Sequence, residues 1–225
     1  MGRTKLERFA ENLTFDNFFQ PTYDQIKDGY YLKGKWASDF FKNNNPLILE
    51  LGCGKGEYTV GLAKKYPDKN FIGVDIKGAR MWKGCKTSVE EKMTNVAFLR
   101  TRIELIEHFF GKNEVSEIWI TFPDPQPRRI KENKRLTSPV FLKRYSNILD
   151  HNGIIHLKTD AFLLYYYTLE IIKEYNHRIL FNTSDLYSTE EIIDAKNIST
   201  YYENIFLAQN KKINYIKFML SKNNE

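Results

Sequence analysis

Glu50-Leu51-Gly52-Cys53-Gly54-Lys55-Gly56-Glu57 is the stretch that decides the fold. It follows a short apolar run, Leu47 to Leu51, and opens a segment, Glu57 to Lys65, that reads as a helix ended by Tyr66-Pro67. An apolar run of this length leading into a glycine turn reads as a buried parallel strand. Glycines at such a turn let the backbone reverse tightly and approach a ligand closely. The spacing is G-x-G-x-G, and Glu57 stands where the dinucleotide fingerprint has its third glycine. Glu50 and Glu57 flank the turn. Two carboxylates repel a pyrophosphate but attract a ligand bearing a sulfonium and an ammonium group. The residues therefore favour S-adenosylmethionine over a dinucleotide. Asp75 ends the next apolar run, Asn70 to Asp75, where doubly wound sheets place an acid that meets ribose hydroxyls.

The same alternation continues outward. Lys77 to Lys92 reads as a helix, and Val96 to Thr101 and Glu117 to Thr121 as strands. Ser138 can cap a helix that has Pro139 at its first position and runs to about Leu149. Ile154 to Thr159 is a strand, Ala161 to Tyr175 a helix, and Arg178 to Asn182 and Ile213 to Leu220 the last strands. Repeated strand–helix units with short connections imply a mostly parallel sheet with helices on both faces. No repeat or linker divides residues 46–225, which read as one domain. A basic, aromatic extension, residues 1–45, precedes it and closes on the turn Asn43-Asn44-Asn45-Pro46. Lys5, Arg8, Lys33 and Lys35 leave two readings open, an arm or a segment packed on the domain.

A Pro-rich basic loop follows the strand ending at Thr121. Asp124 lies between Pro123 and Pro125, which restrict its backbone. Ligands of open α/β sheets bind at the carboxyl ends of strands, so Asp124 is the candidate catalytic carboxylate. Arg128, Arg129, Lys131, Lys134 and Arg135 come next, opposed only by Glu132. A charge run is usually a solvated face. Beside a carboxylate pocket, this one suits a base carried on a phosphate backbone.

Composition agrees. The 225 residues hold 34 Lys and Arg against 28 Asp and Glu, a net charge of +6 that favours a polyanionic partner. Cys53 and Cys85 are too few for a zinc cluster or a disulfide framework, and His108, His151, His156 and His177 lack metal-ligand spacing. No metal is expected. His156 reads as a packed or rim histidine, and Lys158 is given no role. Met1 to Phe19 lacks the apolar core of a signal peptide, and no apolar run is long enough to span a membrane. A cytoplasmic protein without a membrane partner is expected.

Four blocks together resemble the bacterial tRNA (guanine-N7)-methyltransferase family: ELGCGKGE at 50–57, GVDIKGARMWKG at 73–84, FPDPQPRR through KRL at 122–136, and HLKTD at 156–160. A fifth, Ser199-Thr200-Tyr201-Tyr202-Glu203, looks like the family's Thr-x-x-Glu segment. The resemblance implies a Rossmann-like class I methyltransferase, a seven-stranded, mostly parallel sheet with the last strand antiparallel. It implies S-adenosylmethionine as cofactor and, as substrate, the variable-loop guanine of tRNA at position 46. Glu50, Gly52, Gly54, Asp75 and Asp124 would meet the cofactor, with Thr101 or Arg102 beside its adenine. Arg128, Asp160 and Thr200 to Glu203 would contact the guanosine, and Ile130 to Arg135 the RNA. Asp160 or Glu203 can accept guanine's N1–H and N2–H₂, and Tyr201, Tyr202 or Phe122 can stack on the ring. Gln126 stands where the family usually has Trp, and Arg128 where it usually has Lys. A monomer or homodimer is equally compatible. Two other readings share parts of this pattern: a methyltransferase for a small molecule or protein, and a non-catalytic RNA-binding protein of the same fold.

Overall fold

Four strands owe their central place to sequences buried along nearly their whole length: β2 (Leu47–Leu51), β3 (Asn70–Asp75), β4 (Val96–Arg100) and β5 (Val115–Thr121). Strands buried on both faces need helices on both sides. The computed structural model describes residues 4–190, 194–198 and 200–221, so Ser199 of the fifth block lies outside the described residues. Helices α2 (Glu57–Lys65) and α3 (Gly78–Glu90) cover one face. Their core joins Tyr58, Leu62 and Met81 to Ile48, Phe71, Phe98 and Trp119. On the other face lie α4 (Pro139–Ile148) and α5 (Phe162–Glu174), packed on Leu49, Ile72, Ile118 and Leu157. Pro139 opens α4 as expected, but the Ser138 hydroxyl donates to the Asn133 carbonyl at 3.3 Å and does not cap the helix.

β6 (Leu149–Thr159), β7 (Arg178–Thr183) and β8 (Asn214–Met219) complete the far half of the sheet. The last strand, β8, runs antiparallel to β6 and β7, and the pairs from β2 to β6 are parallel. Among the described residues the sheet has eight strands where seven were expected. The additional one is β1 (Phe18–Phe19), which pairs Phe18 with Phe98 and Phe19 with Leu99 on β4. Two residues carry no periodicity, so this strand had no signal in the sequence. The order is β1-β4-β3-β2-β5-β6-β8-β7. From β2 the chain winds out through β3 and β4, then returns to β5 on the other side. The carboxyl ends of β2 and β5 therefore flank the topological switch point.

The segment preceding β2 packs on the domain. Ile26, Tyr30, Leu32, Trp36 and Phe41 join the core beneath β4 and β2. The Trp36 indole donates to the Phe109 carbonyl at 2.9 Å, and the Glu114 carboxylate accepts the Gly34 and Trp36 N–H groups at 2.7 and 2.9 Å. Helix α1 (Lys5–Asn12) lies on α3, where the Asn12 amide donates to the Gly78 carbonyl at 2.9 Å.

Candidate active site

The turn after β2 reverses through three left-handed residues, Gly52 (φ +80°), Gly54 (φ +56°) and Gly56 (φ +72°). A Cβ on Gly56 would lie 2.5 Å from the Phe98 ring, so the turn is wedged against β4. A Cβ on Gly52 would meet nothing within 4 Å. There the positive φ demands glycine, and the bare backbone leaves open the floor of a cavity of about 610 Å³. This cavity lies at the switch point and brings together Glu50, Gly52, Gly54, Asp75, Asp124, Lys134, Asp160, Thr200 and Tyr202. A second cavity, of about 440 Å³, is lined by Ile48, Phe71, Glu117 and His156 toward the amino ends of the strands, where this architecture does not place its ligands. His156 is packed there face to face on Trp119, with ring centroids 3.7 Å apart.

Glu50, buried at the base of the cavity, accepts from the Thr59 N–H at 2.8 Å, from the Thr59 hydroxyl, and from the Thr121 hydroxyl at 2.7 Å. Burial pushes its carboxyl up to about 7, against the pull of those three donors. Asp75 accepts the Gly54 N–H at 2.9 Å and the Lys77 N–H at 2.8 Å, which ties the end of β3 to the glycine turn. Cys53 also lines the cavity. Burial, then the nearby Glu50 and Asp75, hold its thiol well above the usual range, so it is unsuited to act as a nucleophile. Thr101 and Arg102 are not among the lining residues. Thr101 is buried, its N–H bonded to the Asp75 carbonyl at 3.1 Å, and Arg102 faces Glu104 at 3.3 Å.

The loop after β5 carries Asp124 to the cavity mouth. Phe122 (φ +48°) and Gln126 (φ +45°) hold left-handed conformations on either side of it. Such residues cost about 1–3 kcal/mol each and collect at functional sites. One Asp124 oxygen accepts the Gln126 N–H at 3.0 Å, which fixes the carboxylate on its loop. Arg128, Arg129, Lys131 and Lys134 are exposed around a 3₁₀ turn, Arg129–Lys134. Arg135, expected among the RNA contacts, is buried instead. Its Nε donates to the Gln126 carbonyl at 3.3 Å, and its guanidinium lies 4.2 Å from the centre of the Tyr167 ring. It braces the loop from within.

Opposite Asp124 lies α7 (Tyr201–Ala208), preceded by the short α6 (Asp194–Asn197). Thr200 caps α7: its hydroxyl accepts the Glu203 N–H at 3.2 Å, and the Glu203 carboxylate accepts the Thr200 N–H at 3.3 Å. The Thr-x-x-Glu segment is thus a capping box. Glu203 is fully buried and paired with Lys158 at 2.7 Å. It also accepts from the Tyr187 hydroxyl at 2.7 Å. With its oxygens so engaged, Glu203 is not the acceptor for guanine's edge that the sequence suggested. Lys158, given no role from sequence, is fully buried on β6 and also donates to the Ala195 and Ile198 carbonyls, gripping the chain before α7. The signal was available: a lysine inside a buried strand is almost never without a partner. Glu57 adds a second tie, accepting the Tyr201 N–H at 2.9 Å, while the Lys55 ammonium lies 3.8 Å from the Tyr201 ring centre. Asp160 lines the cavity, one oxygen held by Lys211 at 3.1 Å.

A family described as "Putative methyltransferase" matches residues 44–216. A tRNA (guanine-N(7)-)-methyltransferase of Christiangramia forsetii is 53% identical over 97% of this chain and 99% of its own length. One from Bacteroides fragilis is 51% identical over 100% of this chain and 89% of its own. Among solved structures, the 16S rRNA methyltransferase KamB has a TM-score of 0.64 at 11% identity, covering 82% of this chain and 92% of that one. At that identity the likeness speaks for the fold alone.

Proposed function

The chain belongs to the tRNA (guanine-N(7)-)-methyltransferase family, and on that premise we propose that it methylates N7 of the variable-loop guanine of tRNA, with Asp124 as the catalytic carboxylate. The observation that carries this reading is the placement of Asp124. It stands at the mouth of a glycine-floored cavity, on the loop that also presents Arg128, Arg129, Lys131 and Lys134.

The residues fit the cofactor. Glu50, Glu57, Asp75, Asp124 and Asp160 line the cavity together with Lys55, Lys77, Arg80 and Lys134, and the acids at the glycine turn, Glu50 and Asp75, suit a cationic ligand better than a pyrophosphate. When bound, S-adenosylmethionine supplies an electrophilic methyl group. Gly52 and Gly54 admit it close to the backbone, and Asp75 stands where ribose hydroxyls bind. Guanine N7 has an exposed lone pair and loses no proton, so the protein needs no strong base there. Its work is alignment and charge stabilisation. Asp124 and Asp160 face the ring as it becomes cationic. With Glu203 committed to Lys158, Asp160 remains the acceptor for guanine's N1–H and N2–H₂, once Lys211 releases it. Tyr202, half exposed on the cavity wall, offers a stacking surface. Such an enzyme acts in the cytoplasm, where its substrate is. No helix among the described residues is long and apolar enough to cross a membrane.

Glu50 makes cofactor binding pH-dependent. Below about 7 its carboxyl is mostly protonated in the free protein and offers no charge to a cationic ligand. The bound cation favours the carboxylate, so binding releases a proton and tightens as pH rises. Between pH 6 and 7.5 the Kd for S-adenosylmethionine falls roughly five- to tenfold, and Glu50→Gln flattens the profile. Calorimetry in two buffers of different ionisation enthalpy reads both effects, and a pH-independent Kd in the wild type would refute the assignment.

The function itself is tested by methyl transfer to unmodified tRNA, followed by borohydride–aniline cleavage. Scission at the variable-loop guanine is expected. Transfer without scission there would remove the N7 assignment. No transfer to any tRNA would leave a small-molecule or protein substrate.

A further inference from the structure

We propose that α3 carries a second docking surface for the RNA. Lys77, Arg80 and Lys83 form a cationic stripe that takes the phosphodiester backbone on the side of the cavity away from the 128–134 loop. The inference rests on the tRNA reading and gives a role to three cations of the 73–84 block to which that reading assigned none.

Topology makes the first argument. Helix α3 begins at the carboxyl end of β3, and the Asp124 loop leaves the carboxyl end of β5. β2 lies between them, so the two segments flank the glycine turn on opposite sides. A base drawn into the cavity leaves its two flanking phosphates outside, one to each side of the mouth. The Arg128–Lys134 cluster serves one of them. Lys77 and Arg80 line the mouth on the other side.

Charge makes the second argument. Lys77, Arg80 and Lys83 are all exposed, at spacings of i, i+3 and i+6. At 1.5 Å per residue the stripe is about 9 Å long. It leads away from the cavity along the helix. No acid pairs with any of the three among the described residues, whereas Lys86 further along α3 pairs with both Glu11 and Glu90 at 3.6 Å. The first turn of α3 also contains no acidic residue. Cations three apart on a helix repel each other, and cations at a helix N-terminus oppose its dipole. The free protein therefore carries an uncompensated cluster, which a polyanion crossing it would neutralise.

The test is binding of unmodified tRNA to the full chain across a salt series, for the wild type, for Lys83→Gln, and for Lys77→Gln/Arg80→Gln/Lys83→Gln. Each phosphate contact adds about 0.7–0.9 to the slope of log K against log salt. The single variant is expected to lower the slope by about one contact and the triple variant by two to three, with tRNA affinity near physiological salt falling about tenfold or more. In Lys83→Gln, whose residue does not line the cavity, thermal unfolding and the Kd for S-adenosylmethionine stay at wild-type values. An unchanged salt slope in the triple variant would overturn the proposal. So would a loss of cofactor affinity with tRNA binding intact, which would assign Lys77 and Arg80 to the cofactor. RNA binding is read without methyl transfer, so failure of the methylation assay and failure of this surface are distinguishable.

Discussion

Asp124→Asn lowers methyl transfer to tRNA by about 10²–10³-fold and leaves the Kd for S-adenosylmethionine within about threefold of wild type. The substitution is chosen for what it preserves. Asp124 holds its loop through an oxygen that accepts the Gln126 N–H, and the Asn carbonyl accepts the same bond. Pro123, Pro125 and the left-handed Phe122 and Gln126 keep the backbone where it is. Only the negative charge goes. Removing one preorganised electrostatic group from an active site typically costs two to three orders of magnitude in turnover. Because the charge matters as the guanine ring becomes cationic, the loss falls on kcat more than on KM. Single-turnover transfer of labelled methyl gives the rate, and calorimetry gives the cofactor affinity. Wild-type turnover in this variant would remove Asp124 from the chemistry.

Lys158→Met destabilises the protein by about 3–5 kcal/mol and lowers Tm by on the order of 10 °C. The cause is the partner left behind. Glu203 is fully buried, and without the ammonium at 2.7 Å its charge is uncompensated. Burial already pulls the Lys158 ammonium below its usual range, and the Glu203 carboxylate opposes that pull. The pair stands only while both members are present. Lys158→Met combined with Glu203→Gln therefore recovers much of the lost stability, since a neutral pair leaves no buried charge. Activity does not recover with it, because Lys158 also grips the Ala195 and Ile198 carbonyls that lead into Thr200 and Tyr202. Thermal unfolding of the single and double variants, followed by tRNA methylation below both midpoints, separates the two effects. A single variant that melts with the wild type would refute the buried-pair reading.

The sequence specified the centre of the molecule almost to the residue. β2, α2 and β3 have the limits read from Leu47–Leu51, Glu57–Lys65 and Asn70–Asp75. Each is bounded by a glycine turn, a proline or a charge, and each apolar run has only one way to be buried. The same logic located Asp124, because a strand's carboxyl end has a known place relative to the ligand. Legibility failed where tertiary contacts assign roles among chemically equal residues. Nothing local distinguishes Arg135 from Arg128, yet one braces the loop against Tyr167 and the other is exposed. The family resemblance puts Thr200 and Glu203 against the substrate, and the Ser/Thr-x-x-Glu pattern is also that of a helix start. Which of these holds depends on Lys158, 45 residues away along the chain. Glu57 likewise reads as a cofactor-loop acid, and its bond to the Tyr201 N–H becomes visible only when residues 144 positions apart meet.

The two-residue strand β1 has a consequence for the fate of the protein in a crowded solution. It occupies the outer side of β4, where Phe98 gives its N–H to the Asn17 carbonyl at 2.8 Å. A sheet margin with unfilled donors and acceptors is a template for self-association, and very short edge strands are one of the devices that deny it to another molecule. Phe18 and Phe19 do this with two residues, too few to offer a long margin of their own. Cutting the chain back to the start of β2 would leave the nucleotide-fold half nominally whole. It would also bare the β4 margin and the apolar surface beneath Trp36 together. Residues 4–45 thus cover a sheet margin and an apolar face at once, and a shortened protein is expected to self-associate more readily than the full chain.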